Sequence, residues 1–229
     1  TGLVKPETGL KFLGFGTMNG KDGKPFKTRE GGVMRLQYLL ESVNEEMLKK
    51  ITENQKAKEN LEISEEEAKE TAKMIALAAI KYGDLSNQAS KDYIFDIDRF
   101  TSFEGNTGPY ILYTIVRIKS ILNKYHSMGK DESGAVIEAA HSASEKNLML
   151  VLSGFGAMME NAYEETAPHK ICSYIYELAN AFNSFYHETK IMSEENEQIQ
   201  KSYIRLLELT KSVLETCIDL LGFKAPERM

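Results

Sequence analysis

The sequence predicts a mainly α-helical protein, a helical bundle preceded by a short α/β segment. Three observations lead there. Apolar residues recur at spacings of three and four from Met34 onward, glycines and prolines punctuate those stretches, and the one strand-like run, Lys11 to Met18, comes near the start. Asn19 to Pro25 is dense in turn formers, so a hairpin or loop follows that run. Leu36, Leu39, Leu40, Val43, Met47, Leu48 and Ile51 mark an amphipathic helix from Met34 to about Ile51. The polar interval Thr52 to Glu62 is either its continuation or a connector. Ser64 with Glu67 is a capping-box pattern; it opens a second helix through Ala68, Ala72, Ile75, Ala76, Ala79 and Ile80, stopped by Gly83. Tyr93 to Ile97 is short and extended.

In Ser102 to Tyr110, two glycines, Asn106 and Thr107 make a tight turn, and Pro109 supplies the fixed φ of a helix's first position. That helix runs to Tyr125, and Ser127 to Gly134 is a connector. Lys146 to Leu152 is helical and broken at Gly154-Phe155-Gly156; the next short helix carries Met158, Met159 and Tyr163, its methionines reading as core filler. Pro168 opens a helix whose stripe is Ile171, Tyr174, Ile175, Leu178, Phe182 and Phe185. Ser193 caps the last, which passes through Ile199, Tyr203, Leu206, Leu209, Val213, Ile218 and Leu221 to end at Gly222. Short loops between these helices predict antiparallel packing.

The 229 residues, 42% hydrophobic and 27% charged, suit one large domain or a domain plus a remnant. A net charge of -6 excludes a uniformly basic nucleic-acid binder, so any RNA contact must come from a local patch. No apolar run approaches the ~20 residues of a membrane span and no signal pattern opens the chain, which predicts a soluble, cytoplasmic protein. It opens on Thr1 without an initiator Met, fitting an excised fragment or a processed tag equally. Cys172 and Cys217 lack metal-type spacing and read as buried free thiols. His126, His141, His169 and His187 are scattered, with no Ser or Cys spaced for a triad; Asp92, Asp96 and Asp98 read as helix caps rather than metal ligands.

Two places carry chemistry. Tyr110 and Tyr113 share a helix face beside the glycine-bracketed loop, either as half-buried core rings or as a stacking surface for unstacked bases; spacing does not decide. Lys24, Lys27 and Arg29 crowd a loop ending at Gly31-Gly32, either a solvated basic turn or a cradle for a polyphosphate.

Asp92-Tyr93-Ile94-Phe95-Asp96, then Phe103-Glu104-Gly105-Asn106-Thr107-Gly108-Pro109-Tyr110 and the helix closing on Arg117, resemble the start of the anticodon-binding domain of bacterial arginyl-tRNA synthetases. Ala181-Phe182-Asn183-Ser184-Phe185-Tyr186-His187 and the ending from Leu220 to Met229 resemble that family's C-terminal half. Gly14 to Met18 and Gly23 to Gly32 resemble the same enzymes' signature-loop region. The likeness covers nearly the whole chain, but only the second part of the enzyme. It implies a remnant of the catalytic nucleotide-binding domain over 1–32 with a KMSKS-like loop, a helical connecting layer over 33–100, and an all-helical anticodon-binding domain over 101–229.

The resemblance also implies a function. The whole enzyme joins arginine to AMP from ATP, which arrives with Mg, and passes it to arginine tRNA; this fragment supplies tRNA grip and loop cations, binds no cofactor of its own, and is inactive alone because the upstream signatures precede Thr1. By the same resemblance Lys24, Lys27 and Arg29 are the catalytic cations, with Gly16, Lys24, Lys27 and Thr28 toward ATP. Two registers of the loop match the KMSKS pattern, Lys24 to Thr28 and Pro25 to Arg29. Tyr110, Tyr113 and Met229 are implied on bases, Asn106 as loop support, Arg117 and Lys119 on phosphates, with an interhelical ion pair the alternative for Arg117, and Tyr186 as a further contact that its helix stripe also accounts for. Arginine tRNA, arginine and ATP are the implied partners, with no DNA, metal site or membrane, and a monomer. The alternative is a free-standing helical adaptor that binds RNA or protein without a ligase role; it has no reason to keep the Lys24 to Gly32 loop.

Overall fold

Hydrogen-bonded helix starts divide most of the chain into helices. The computed structural model describes residues 4, 5, 7–25, 36–57 and 64–229. In order they form β1 (Met18–Asn19), α1 (Leu36–Ala57), α2 (Glu65–Leu85), β2 (Tyr93–Ile94), α3 (Ile97–Phe100), α4 (Gly108–Ser127), α5 (Ala143–Ser153), α6 (Phe155–Glu164), α7 (Pro168–Glu188), a 3-10 turn (Ile191–Ser193) and α8 (Glu197–Leu220). Ser64, Thr107 and Ser142 each accept from the backbone N–H three residues on, and Asn196 accepts from two, satisfying donors that a helix start otherwise leaves open. Pro109 and Pro168 sit in first turns, where their missing N–H costs nothing.

The helices bury their stripes against one another. α1 packs on α2, α2 on α4, α4 on α7 and α8, and α5 and α6 on α7. One continuous core results, running from Leu39 in α1 to Phe223 beyond α8. β1 and β2 pair in parallel, Met18 with Tyr93, and an antiparallel bridge from Asn19 to Pro25 closes a tight turn where a hairpin or loop is expected. At two glycines within the helices the packing leaves no room for a methyl group. A Cβ on Gly108 would stand 2.3 Å from the Ala78 carbonyl oxygen, and one on Gly83 would stand 2.4 Å from the Phe100 ring.

Several expectations change. The strand expected over Lys11 to Met18 shrinks to Met18–Asn19, because β2 pairs only with those two residues, and Phe12 and Phe15 before it are exposed. Gly83 does not stop α2, which continues to Leu85; its bare Cα is where Phe100 packs. Thr52 to Ala57 prolongs α1. Ser193 lies in the 3-10 turn, and Asn196 caps α8 instead. Leu209, expected in the stripe of α8, is exposed. The expected start of α1 at Met34 lies outside the described residues.

Two outcomes follow. Gly108→Ala forces α4 away from α2 and should lower unfolding free energy by ~1–3 kcal/mol in a denaturant titration. Cys172 and Cys217 are buried, and desolvation pushes both thiols up to about 12. Their folded values exceed the ordinary 9.0, so the contribution to stability is intact below 9 and is lost as pH rises from there toward 12. Thiol-reagent titration should find both groups unreactive in the native protein and reactive once it is denatured.

Candidate nucleic-acid interface

α4 and α7 build the most chemically distinctive surface of the molecule. Spacings of three and four line up Tyr110, Tyr113, Thr114 and Arg117 on α4 opposite Tyr176, Asn180, Asn183 and Tyr186 on α7. The Tyr110 hydroxyl donates to Asn180 Oδ1 at 2.7 Å and accepts from Asn183 Nδ2 at 2.9 Å. Arg117 Nη1 donates to Asn183 Oδ1 at 2.7 Å, and its Nη2 donates to the Tyr113 hydroxyl at 3.1 Å. The guanidinium carbon stands 4.7 Å from the Tyr113 ring centroid and 5.2 Å from that of Tyr186. Tyr113 and Tyr186 stay 39% and 36% exposed, so both rings keep surface for a ligand beside the cation. Such a surface suits a flat, electron-rich group: aromatic rings stack on bases, and a held guanidinium adds charge and donors.

Tyr110 behaves differently from Tyr113. It is half-buried, set edge-on to Tyr176 with centroids 5.8 Å apart, and burial holds its phenol above the ordinary value. Its hydroxyl is engaged on both sides, so it braces the two helices while Tyr113 faces out. Asn106 is exposed in the loop, with Oδ1 2.5 Å from the Tyr82 hydroxyl, which itself lies 2.8 Å from the Cys172 carbonyl oxygen on α7. The loop is thereby tied to the bundle.

Lys119 is not where the phosphate assignment needs it. Arg117 and Lys119, two residues apart, point about 200° away from each other round α4. Lys119 Nζ lies 2.7 Å from Glu227 and 3.3 Å from Glu215, with its side chain only 11% exposed, and it reaches the Pro226 carbonyl. It pins the C-terminal tail. Lys81 holds the Gly222 carbonyl at 2.7 Å, and Arg228 pairs bidentately with Glu67, holding that carboxyl below its ordinary value. From Lys81 to Glu67 is about 21 Å along α2, the reach of about six extended residues, so the tail runs back along that helix. Met229 ends it, half-buried against the core. Glu67 thus leaves the capping box to Ser64 alone. Lys119→Met should loosen the tail between its Lys81 and Arg228 anchors, read as faster amide hydrogen exchange around residues 224–227 with α4 and α8 protection kept.

Gly16 has a packing reason to be glycine: its N–H donates to the Ala89 carbonyl at 2.8 Å, and a Cβ would stand 2.3 Å from the Lys91 backbone. Asp92 accepts from the Thr17 N–H, and Asp96 caps α3 while Lys21 pairs with both Asp96 and Asp98, so these carboxylates have structural partners. Lys24 is exposed on the tight turn, its carbonyl accepting from the Gly20 N–H. Lys27, Thr28 and Arg29 lie outside the described residues. Sequence reasoning missed Tyr176, Asn180 and Asn183; the available signal was two asparagines three apart on the aromatic helix α7.

Residues 111–229 match the family model described as DALR anticodon binding domain. The chain belongs to that family. Residues 2–97 match the model for the class I (R) tRNA synthetase catalytic domain, which favours a synthetase part over a free-standing adaptor. Arginine–tRNA ligase of Agathobacter rectalis is 71% identical over 231 residues, covering 100% of this chain and 39% of the relative. The ligase of Alkaliphilus oremlandii is 55% identical over 229 residues, covering 100% of this chain and 38% of the relative. The chain therefore spans less than two fifths of the length of these relatives. Thermus thermophilus arginyl-tRNA synthetase superposes with a TM-score of 0.80 at 26% identity, covering 95% of this chain and 35% of the other. The Plasmodium falciparum enzyme gives 0.73 at 28%, with the same coverage. Together the matches support a C-terminal arginyl-tRNA synthetase region. Among the described residues no helix is long and apolar enough to cross a membrane.

Proposed function

We propose that this chain is the part of an arginine–tRNA ligase that grips the anticodon region of arginine tRNA while its early loop serves ATP-dependent aminoacylation. In this reading residues 1–32 go with the nucleotide-binding side, 33–100 connect, and 101–229 bind tRNA, and the protein works as a monomer in the cytoplasm. The observation that carries it is the α4–α7 platform, where Tyr113 and Tyr186 keep exposed ring surface on either side of a hydrogen-bonded Arg117. With a net charge of -6, general attraction to a phosphate backbone is weak, so affinity must come from a local patch of this kind. Tyr113 and Tyr186 stack on unpaired bases, Arg117 supplies the cation, and Tyr110 and Asn106 hold the surface in shape, while Met229 goes with the tail that Lys119 and Arg228 fasten. Lys119 serves the tail rather than the RNA, and Gly16 serves backbone packing.

Class I arginyl-tRNA synthetases use ATP, generally with Mg. Lys24, Lys27, Thr28 and Arg29 suit its phosphates by residue type, three cations and a hydroxyl in a glycine-flanked stretch of sequence. When bound, ATP supplies the activated phosphorus at which arginine is joined to AMP, and Mg enters as part of that substrate complex.

Binding of arginine tRNA and an anticodon-changed variant, each at two salt concentrations, tests the platform. Tyr113→Ala and Tyr186→Ala should each cost ~1–3 kcal/mol with the first tRNA and much less with the second. Equal, salt-sensitive binding of both tRNAs would show backbone attraction alone and overturn the reading. In the full-length protein, Lys27→Ala should slow adenylate formation more than it weakens tRNA binding; the reverse order removes Lys27 from the phosphate site.

A further inference from the structure

We infer that Asn183 is a positioning residue that fixes Arg117 within the stacking platform while leaving its charge free for RNA. This rests on the function proposed above. Arg117 crosses from α4 to α7, and the group that receives it is an amide: among the described residues no ion pair includes Arg117. The distinction matters electrically. A carboxylate at that position would hold the guanidinium more tightly and cancel its charge, whereas an amide oxygen supplies direction without neutralisation.

Asn183 is fully committed. Its Oδ1 accepts from Arg117 at 2.7 Å, and its Nδ2 donates to the Tyr110 hydroxyl at 2.9 Å, with Thr114 Oγ1 at 3.4 Å. Turning the amide over would set two donors against each other at the guanidinium, so Arg117 dictates its orientation. Tyr110 then donates onward to Asn180 Oδ1, giving one chain of bonds from Arg117 through Asn183 and Tyr110 to Asn180. Every donor in it points the same way, and such chains polarise and reinforce one another. The consequence is a cation whose side chain is already ordered between two rings before RNA arrives, which lowers the ordering cost of binding.

The test uses the full-length protein and measures arginine-tRNA affinity across a salt series together with thermal stability. Asn183→Asp should still unfold cooperatively, lose about tenfold in affinity, and show a salt slope shallower by about one phosphate contact. Ser184→Asp adds the same charge on an exposed neighbouring position that does not touch Arg117; it should shift affinity less and leave the slope alone. Asn183→Ala should cost about tenfold in the parent and nothing further in an Arg117→Met background. Asn183→Asp binding like the parent, or Asn183→Ala costing the same in both backgrounds, would overturn the inference; if Asn183→Ala does not fold, the aspartate arm decides. If Tyr113→Ala also leaves binding unchanged, the platform itself is at fault; if Tyr113→Ala weakens binding and the Asn183 variants do not, only the role of Asn183 falls.

Discussion

The close approach of α4 to α2 is the constraint on which the rest of the structure depends. Gly108, the first residue of α4, lies against the Ala78 carbonyl with no space for a side chain. Thr107 makes that start definite, accepting from the Tyr110 N–H while its hydroxyl donates to the Ser102 carbonyl at 2.6 Å. The Tyr82 phenol, buried in α2 and raised above its ordinary value chiefly by desolvation, bridges the same loop to α7. Three helices are therefore referenced to one corner. From Tyr110 to Arg117, within about two and a half turns of that corner, the α4 side chains that cross to α7 meet with hydrogen-bond geometry because the corner has already set the spacing.

Hydrogen bonds through uncharged groups and ion pairs divide the work between two faces of α4. On the α7 side, amides and hydroxyls hold Arg117 and Tyr110 with no carboxylate involved. On the other side Lys119 sits between Glu215 and Glu227, and Arg228 pairs with Glu67. Exposed ion pairs contribute little each, so the tail depends on several anchors acting along its length rather than on any one of them. The two arrangements suit different tasks. Neutralised charges fasten a segment of the protein to itself, while an unneutralised one remains available to an outside anion.

What the sequence disclosed follows the range of each signal. Helix starts written in two or three neighbouring residues were readable: Ser64, Thr107 with Pro109, and Pro168 all open helices where local chemistry says they should. Ser193 misled because a capping residue can equally close a 3-10 turn, and Asn196, three residues later, had the better-placed oxygen. Gly83 misled because glycine permits both a helix end and a tight contact, and only the position of Phe100, seventeen residues away, distinguishes them. That Tyr110 and Tyr113 share one helix face was legible, but not that one ring is half-buried and the other exposed. That division is decided by Asn180 and Asn183, about seventy residues downstream, whose role no local pattern reveals.

The same limit explains why Arg117 and Lys119 looked alike. Both are cations on one helix, two residues apart, close to the aromatic loop, and composition offers no reason to separate them. Helical geometry does: a step of two residues turns the side chain nearly to the opposite side, so one cation must face α7 and the other α8. What each then becomes is set by its neighbours. α7 offers Arg117 an amide and two rings, and leaves it charged; α8 and the tail offer Lys119 two carboxylates, and cover it until 11% of its side chain remains exposed. On this acidic protein one cation keeps its charge because acids are withheld from it rather than because more cations are added, and the packing of α4 between its two partners determines which cation that is.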